Sequence, residues 1–258
     1  MGTMIFNGIS TLDAGVVIQT PPVYEFPTRR VDVIQVQGKN GDIIIDKDAF
    51  NNVNREYNLA SVFRKSGSFI EHARVIVDWL SSVSGYARLE DSYEPDYFRL
   101  AMYRSGGQLP NFYDKATAMI VRFECKPQRF LKTGEIQEEF KRTTHPEAEF
   151  HEIINTTKYV ALPQITVEGG FVSIEVRNGE DVNNPDNQTT LTINDQTILT
   201  KILIDSELQD VYTDVAYINN KIQTTNGFPK LYPGKNWIKI TYVSNDSKVL
   251  IKPRWWVL

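Results

Sequence analysis

Histidine and carboxylate side chains are concentrated in one short segment of the sequence, His145-Pro146-Glu147-Ala148-Glu149-Phe150-His151-Glu152. Imidazole and carboxylate groups are the ligands with which many proteins bind zinc. The spacing differs from that of the helical zinc-protease motif, and Pro146 opposes a helix through His145. We therefore interpret the segment as a charged linker and predict no metal site. The third histidine, His72, is interpreted as a solvated residue on a helix.

Carboxylates also cluster at Glu90-Asp91, Glu94 and Asp96. A glycosidase needs two such groups on opposite sides of a cleft. The composition from Glu90 to Pro95 is typical of a turn, which favours carboxylates that are solvated or that cap the turn. Asp205 follows the apolar run Ile202–Ile204 and is predicted to accept backbone N–H groups at a strand end.

Motifs for nucleophilic catalysis and phosphate binding are not matched. No serine lies in a G-x-S-x-G elbow, and Ser66-Gly67-Ser68 predicts a helix entry. The segment Gly227–Asn236 has too many residues between its glycines for a phosphate-binding loop, and Asn236 after Lys235 lacks the hydroxyl that binds Mg²⁺. We predict a turn there, fixed by prolines and Gly234. The sequence thus predicts no catalytic, cofactor-binding or metal-binding residues, and the chain is not expected to be an enzyme.

Aromatic residues in the last part of the chain allow two uses. Trp237, Trp255, Trp256, Tyr232 and Tyr242 could line a sugar-binding platform. Adjacent residues in a strand face opposite sides, so at most one of the two consecutive tryptophans can contribute to it. We predict that one of them packs inside the domain and that the other faces solvent, a neighbouring domain or another subunit.

Composition is that of a folded protein. The chain has 258 residues, 41% hydrophobic and 23% charged, a length that allows one large domain or two smaller ones. The single cysteine, Cys125, excludes an intrachain disulfide and alternates with Met119, Val121 and Phe123, which predicts a buried strand residue.

Charge and hydropathy exclude two classes of partner. The net charge is +1 for residues 1–133 and −5 for residues 134–258, so no basic surface for phosphates is expected and nucleic-acid binding is disfavoured. Residues 1–10 lack the pattern of a secretory signal, and no segment approaches the roughly 18 apolar residues of a membrane span. A soluble product made in the cytosol is expected.

Strand patterns dominate the first half. The runs Val31–Gln37 and Asp42–Asp46 flank Gly38-Lys39-Asn40-Gly41, which predicts a β-hairpin. Tyr97–Tyr103 places Phe98, Leu100 and Met102 on one side and Arg99 on the other. Met119–Cys125 alternates as well, and Pro127 then removes a hydrogen-bond donor.

One amphipathic helix is predicted from Phe69 to Val83. Ser68 and Glu71 form a capping-box pattern, and Gly85 lies where a left-handed C-terminal stop is expected. The apolar stripe consists of Phe69, Ala73, Ile76, Val77, Leu80 and Val83.

Periodicity weakens from residue 132 to 158, which is interpreted as a linker between domain 1–133 and domain 134–258. Short apolar runs separated by turn residues then predict an all-β sandwich or jelly roll. These runs are Ile165–Glu168, Phe171–Val176, Thr190–Ile193, Ile198–Ile204, Trp237–Tyr242 and Val249–Ile251.

A set of uncommon motifs is spaced along the chain from about Arg30 to Leu258. In the first half they are Leu89-Glu90-Asp91-Ser92-Tyr93, Tyr97-Phe98-Arg99, Phe123-Glu124-Cys125-Lys126-Pro127 and Phe130. In the second half they are Asn155, Leu162-Pro163, Ile204-Asp205-Ser206-Glu207, Phe228-Pro229, Leu231, Pro233-Gly234, Asn236 and Pro253-Arg254-Trp255-Trp256. Together and in this order they resemble the pattern of one family, the distal tail (Dit) proteins of long-tailed bacteriophages.

The resemblance implies a mainly β chain of two β-sandwich domains, the first with a helix and a hairpin and the second galectin-like. It implies a homohexameric ring at the distal end of the tail tube, joining the major tail tube protein to the tail-tip (tail-associated lysin-like) protein and carrying receptor-binding proteins. DNA would pass through the channel without specific binding. The expected location is the virion tail tip, after assembly in the host cytoplasm.

Ring assembly requires a contact that repeats from copy to copy, and unpaired strand edges offer one. We predict that the hairpin makes this contact. The predicted interface residues are Val31, Val33, Gln37, Asn40, Ile43 and Ile45. The alternative function is a carbohydrate-binding, lectin-like protein or a cell-wall glycan hydrolase.

Overall fold

The structure, a computed structural model, describes residues 2–61, 68–104, 106–108, 118–144, 149–195, 198 and 201–258. It divides into two compact units, Met1–Arg129 with Leu258, and Phe130–Val257. Within the described ranges, no helix has the length and apolarity that crossing a membrane requires.

Unit 1 is built on one curled antiparallel sheet. Its elements are β1 Met4–Phe6, β2 Ile9–Ser10, β3 Val16–Ile18, β4 Arg29–Ile34, β5 Ile43–Phe50, β6 Val53–Ser61, α1 Phe69–Leu80, β7 Ala87–Asp91, β8 Tyr97–Tyr103 and β9 Ala118–Leu131. The strand order is β2-β1-β7-β8-β9-β6-β3, while β4 and β5 form a separate two-stranded sheet. A bridge between Gly2 and Ile18 joins the chain just before β1 to β3, so the sheet curls on itself.

The core of unit 1 follows from alternation along its long strands. Met119, Val121, Phe123 and Cys125 of β9 are buried, as predicted. Phe123 packs against Phe6, with ring centroids 4.8 Å apart. β9 continues past Pro127 to Leu131, farther than the loss of one donor suggested.

The apolar residues Phe98, Leu100 and Met102 suggest that their side of β8 faces the core, but the opposite side does. Ala101 is fully buried in the core of unit 1, and Arg99, on the same side of the strand, is also buried. Phe98 lies on the opposite side, where the Arg88 guanidinium stacks over its ring at 3.8 Å.

Helix α1 confirms the predicted capping box. The Ser68 side chain accepts from the Glu71 N–H, and the Glu71 carboxylate accepts from the Ser68 N–H at 2.8 Å. The helix ends at Leu80, earlier than predicted, and Gly85 does not adopt positive φ. The predicted stripe is partly wrong, because Val77 is exposed while Trp79 is buried and donates from Nε1 to the Phe6 carbonyl oxygen.

Unit 2 is a β-sandwich of two five-stranded antiparallel sheets. The ten strands of these sheets are β10 Glu138–Lys141, β11 His151–Asn155, β12 Gln164–Glu168, β13 Phe171–Asn178, β14 Asn187–Ile193, β15 Ile202–Asp205, β16 Asp210–Thr213, β17 Ile222–Thr225, β18 Gly234–Tyr242 and β19 Lys248–Lys252. A short strand near the end of the chain, β20 Trp256–Val257, belongs to neither of these two sheets. The sheet orders are β10-β19-β12-β15-β16 and β11-β18-β13-β14-β17. Buried residues of both sheets form one hydrophobic cluster. The prediction of a mainly β chain with a helix in its first half is confirmed.

The segment predicted as a linker, residues 132–158, is structured over much of its length. A 3-10 helix covers Lys132–Glu135, and β10 and β11 form one edge of each sheet of unit 2. The linker prediction missed these strands because any alternation spans only four or five positions in each, within a mostly polar sequence. Backbone pairing of β10 with β19 and of β11 with β18 holds them in place.

Candidate assembly surface

Among the described residues, the longest segment in which no residue is buried runs from Gln19 to Asn52. It contains the predicted hairpin, formed by β4 and β5, with residues 35–42 as the connecting loop. The strands are shifted from the predicted ones, since β4 ends at Ile34 and β5 continues to Phe50. Gly38 and Gly41, both with φ of 80°, supply the left-handed conformation that the loop requires.

The strand register places apolar side chains on both faces of the hairpin. Directly paired residues lie on the same face, and successive residues alternate. Val33 pairs with Ile44, and Ile34 pairs with Ile43. The apolar residues on one face are Val31, Val33 and Ile44, and we call this the valine face. The apolar residues on the opposite face are Ile34, Ile43 and Ile45, and we call this the isoleucine face.

The six predicted interface residues are therefore distributed over three places. Val31 and Val33 lie on the valine face, Ile43 and Ile45 lie on the isoleucine face, and Gln37 and Asn40 lie in the loop between the strands. All six are exposed, so a partner that covered them would have to contact both faces.

The strand register of the hairpin shifts between Arg30 and Val31, and two ion pairs join β4 and β5 near this irregularity. Arg29 pairs with Asp46 at 2.7 Å, and Lys47 pairs with Asp32. These pairs are solvent-exposed, so each contributes little, about 0–1 kcal/mol, to stability. β4 and β5 pair only with each other among the described strands, so each also presents an open backbone edge.

Unit 1 also contains a largely buried cluster of ion-paired side chains with one tyrosine, which we call the Glu94 cluster. Its members are Arg55 and Tyr57 of β6, Asp91 at the end of β7, Glu94 in the turn that follows, Arg99 of β8 and Arg129 of β9. Glu94 accepts from Arg55 at 3.1 Å, from Arg99 at 3.3 Å and from Arg129 at 2.7 Å. No short-range sequence pattern predicts this cluster, because its members lie up to 74 positions apart.

Asp91 completes the cluster and also caps its turn. Its Oδ2 accepts from Arg55 Nη2 at 3.1 Å and from the Tyr57 hydroxyl at 2.7 Å. Its Oδ1 accepts from the backbone N–H groups of Tyr93 and Glu94, so the predicted turn-capping role is confirmed. Every carboxylate oxygen of Asp91 and Glu94 accepts a hydrogen bond within the protein. This arrangement connects strands and does not leave a carboxylate facing an open cleft.

Protonation in the cluster follows from burial and mutual attraction. Burial alone would raise the pKa of Asp91, but the hydrogen bond from Tyr57 and the charge of Arg55 outweigh it, so the pKa is lowered. Burial and the neighbouring Asp91 charge raise the pKa of Tyr57 well above its ordinary value. Asp91 is therefore ionised and Tyr57 neutral at physiological pH.

We expect Asp91 to make unit 1 sensitive to acid. A carboxyl whose folded-state pKa is lowered stabilises the fold above its unfolded value, here 3.8, and that contribution is lost as pH falls from 3.8 through the folded value. Hydrogen exchange of the β6 and β7 amides, measured at pH values above and below 3.8, should show this loss of stability. In Asp91→Asn the pH dependence should be weaker in this range, and an unchanged dependence would contradict the assignment.

His72 and Cys125 are both packed within unit 1. His72 is half-buried, and its Nε2 lies 2.7 Å from the Ser61 hydroxyl, so the prediction of a solvated side chain is wrong. Burial lowers its pKa. Gly15 lies against the His72 ring, where a Cβ would come within 2.7 Å of Cε1. Cys125 is fully buried, which raises the pKa of its thiol to about 12 and keeps it protonated and unreactive.

The predicted charged segment lies only partly within the described residues. Residues 145–148 are outside them, and His151 and Glu152 begin β11. The His151 ring packs edge-on against Phe140. Among the described residues, no group of three or more His, Cys, Asp or Glu side chains is arranged to hold a metal ion.

Two further predictions concern turns in unit 2. Asp205 accepts from the N–H groups of Glu207 and Leu208, as predicted for a strand end, and also pairs with Arg254 at 3.2 Å. The loop before β18 is fixed by Asn236, whose side chain donates to the Tyr232 and Gly234 carbonyl oxygens and accepts from the Tyr232 N–H. The turn was predicted to be fixed by Pro229, Pro233 and Gly234. The Pro233 carbonyl oxygen accepts a hydrogen bond from the Asn178 side chain.

The aromatic residues proposed for a sugar platform are largely occupied inside unit 2. Trp255 is buried in the sandwich core. Trp256 stacks on Tyr159, with ring centroids 4.3 Å apart, and donates to the Val160 carbonyl oxygen. Trp237 donates to the Gly179 carbonyl oxygen. These contacts use the rings and N–H groups for packing within the unit.

Comparison with known proteins supports the fold. No family model matches the chain, and no curated protein sequence is significantly similar to it. The crystal structure of the Dit protein of phage SPP1, described as a paradigm of the hub adsorption apparatus in phages infecting Gram-positive bacteria, is similar over 100% of both chains, with a TM-score of 0.64 and 13% identity. A chain of the phage p2 baseplate, in its activated conformation with Sr, is similar over 97% of both chains, with a TM-score of 0.50 and 10% identity. The resemblance to the distal tail family that the sequence suggested is thus confirmed at the level of the fold.

Proposed function

We propose that this chain is a structural subunit of a bacteriophage tail tip that assembles with copies of itself into a ring of six. In this proposal the ring lies at the distal end of the tail tube and joins the tube protein to the tail-tip protein and the receptor-binding proteins. The full-length similarity to the SPP1 hub protein supports the choice of a tail hub over other β-sandwich proteins.

The observation that carries the proposal is the exposed hairpin. Two faces of branched apolar side chains and two open strand edges have no cover within the residues that the structure describes. Exposed, paired apolar strands of this kind are an aggregation hazard unless a specific partner covers them. A head-to-tail contact that closes into a ring covers the same hairpin on every copy.

The charge distribution is compatible with a channel through which DNA passes. Residues 1–133 carry a net charge of only +1, so they offer few cations in excess to bind phosphates. A ring whose channel were strongly cationic would retain DNA, since each neutralised phosphate adds to affinity.

The experiment is to determine the mass and shape of the purified full-length chain. Native mass spectrometry should give six times the mass of one chain, and negative-stain images should show rings with six-fold symmetry. Addition of the tail-tip protein from the same virus should leave the rings intact and bind to them. A chain that stays monomeric up to its solubility limit, alone and with that protein, would contradict the proposal. Binding to a glycan array by such a monomer would favour the carbohydrate-binding alternative.

A further inference from the structure

A strap of ten residues, Gln19–Thr28, leads from β3 to the hairpin and has an inner and an outer side. On the outer side, Val23 and Phe26 are 79% and 78% exposed. The strap has no regular secondary structure, and three of its residues are prolines, Pro21, Pro22 and Pro27. Proline fixes φ and limits the conformations of the neighbouring residues, so the strap is stiffer than an ordinary loop.

The inner side of the strap is bound to β6 and to the Glu94 cluster. Arg55 Nη1 donates to the Val23 carbonyl oxygen at 3.4 Å. The Asn54 N–H donates to the Glu25 carboxylate at 2.6 Å. The Tyr24 ring lies under the guanidinium groups of Arg129, at 4.9 Å, and Arg99, at 5.8 Å. Cation–π contacts of this kind are attractive, and more strongly so where water is excluded.

Phe26 is held in a defined position although it is exposed. Its ring lies edge-on against the Tyr24 ring, with centroids 5.4 Å apart. Glu94 orients Arg129 and Arg99, these orient Tyr24, and Tyr24 orients Phe26. At the other end of the strap, the Asn51 N–H donates to the Thr28 carbonyl oxygen at 2.9 Å, which ties the two roots of the hairpin together.

A fixed and exposed aromatic ring is well suited to bind a protein partner. Binding hot spots are enriched in aromatic residues, and a side chain that is already ordered loses less entropy when it binds. Phe26 precedes β4 by only three residues, so the strap and the hairpin form one continuous uncovered segment. In a head-to-tail ring, each copy would present this whole segment to the next.

We propose that Phe26, supported by Val23, is an anchor of the contact between neighbouring copies of this chain, and that the Glu94 cluster positions it. The proposal deepens the proposed ring and rests on it. In this proposal, the Phe26 ring of one copy binds in an apolar recess of a second copy of the chain, and the hairpin of the first copy lies against the second.

The first test compares Phe26→Ala and Val23→Ser with the wild-type chain. Both side chains are more than three-quarters exposed, so thermal unfolding should be unchanged at a protein concentration at which the wild-type chain is also monomeric. Truncating a hot-spot aromatic residue should weaken each subunit contact about 30-fold or more, which appears as ring dissociation at higher protein concentrations in mass photometry. Val215→Ser, at a position in unit 2 that is 92% exposed, is the matched control and should leave the rings intact.

The second test identifies the partner directly. A photo-crosslinking benzoyl-phenylalanine placed at position 26 should join two copies of the chain in assembled rings, and mass spectrometry of the product should map the recess. Rings that persist in Phe26→Ala at wild-type concentrations, or crosslinks only to a different tail protein, would overturn the inference. A wild-type chain that forms no rings would instead contradict the proposed function itself.

The positioning role is tested by Tyr24→Leu. This change keeps the Phe26 side chain but removes the contacts that orient it, namely the cation–π contacts of Tyr24 and its edge-on contact to Phe26. It also removes the hydrogen bond from the Tyr24 hydroxyl to the Leu258 carbonyl oxygen. Rings should weaken by a smaller factor than in Phe26→Ala, and the double variant should be no weaker than Phe26→Ala alone. Full additivity of the two changes would show that Tyr24 acts independently and would overturn the positioning role.

Discussion

Replacing Arg55 by methionine should lower the free energy of unfolding of unit 1 by about 3–5 kcal/mol, the cost of removing one partner from a buried ion pair. The side chains of Arg55 and Asp91 are each only 5% exposed. Methionine fills much of the same volume but leaves Asp91 without its cation and Glu94 with one cation fewer. The two carboxylates would then remain in a buried site with less compensating charge.

This change should be measured in unit 1 alone, because a chain of two compact units need not unfold in one step. Hydrogen exchange resolved by mass spectrometry reports β6, β8 and β9 separately from unit 2. Arg122→Met is the matched control, since Arg122 of β9 pairs with Glu56, the neighbour of Arg55 on β6, but the Arg122 side chain is largely exposed. The control should cost less than about 1 kcal/mol. Equal effects of the two changes would show that the Glu94 cluster does not stabilise the fold in the way we describe.

The largest effect on assembly is expected from making one face of the hairpin polar without disrupting its strand pairing. Val33→Lys with Ile44→Asp places opposite charges on a directly paired position of the valine face. Cross-strand ion pairs support a hairpin, so its fold should be retained. The loss of buried Val and Ile side chains should cost about 3–6 kcal/mol per subunit contact, enough to convert rings to monomers at micromolar concentration.

The equivalent change on the isoleucine face, Ile34→Lys with Ile43→Asp, distinguishes the two faces. If the neighbouring copy covers both faces, each pair of substitutions should abolish rings. If only one face is covered, only that pair should do so. Thermal unfolding of both variants should match that of the wild-type chain at a concentration at which the latter is monomeric, because the original side chains are exposed in the single chain. Intact rings in both variants would remove the hairpin from the assembly contact.

The local features of this protein were predictable because their causes lie close together in the sequence. The capping box at Ser68 and Glu71 spans a few residues, and the alternation that buries Cys125 spans one strand. The hairpin was predicted for the same reason, since two β-branched runs flank a loop with glycines at both ends. These patterns determined the mainly β fold class, the helix and the segment that we propose for assembly.

Only the tertiary structure decided which of the apolar residues are buried and which of the charged residues meet. Val77 and Trp79 are both apolar residues of one helix, and the position of the sheet buries Trp79 and exposes Val77. Arg55 contacts Asp91 and Glu94 across 36 and 39 residues of sequence. No short-range pattern records such a distance, because the pairing arises when β6, β7 and β8 come together in the curled sheet. The anchoring of the strap on this cluster, and with it the position of Phe26, follows from the same long-range contacts.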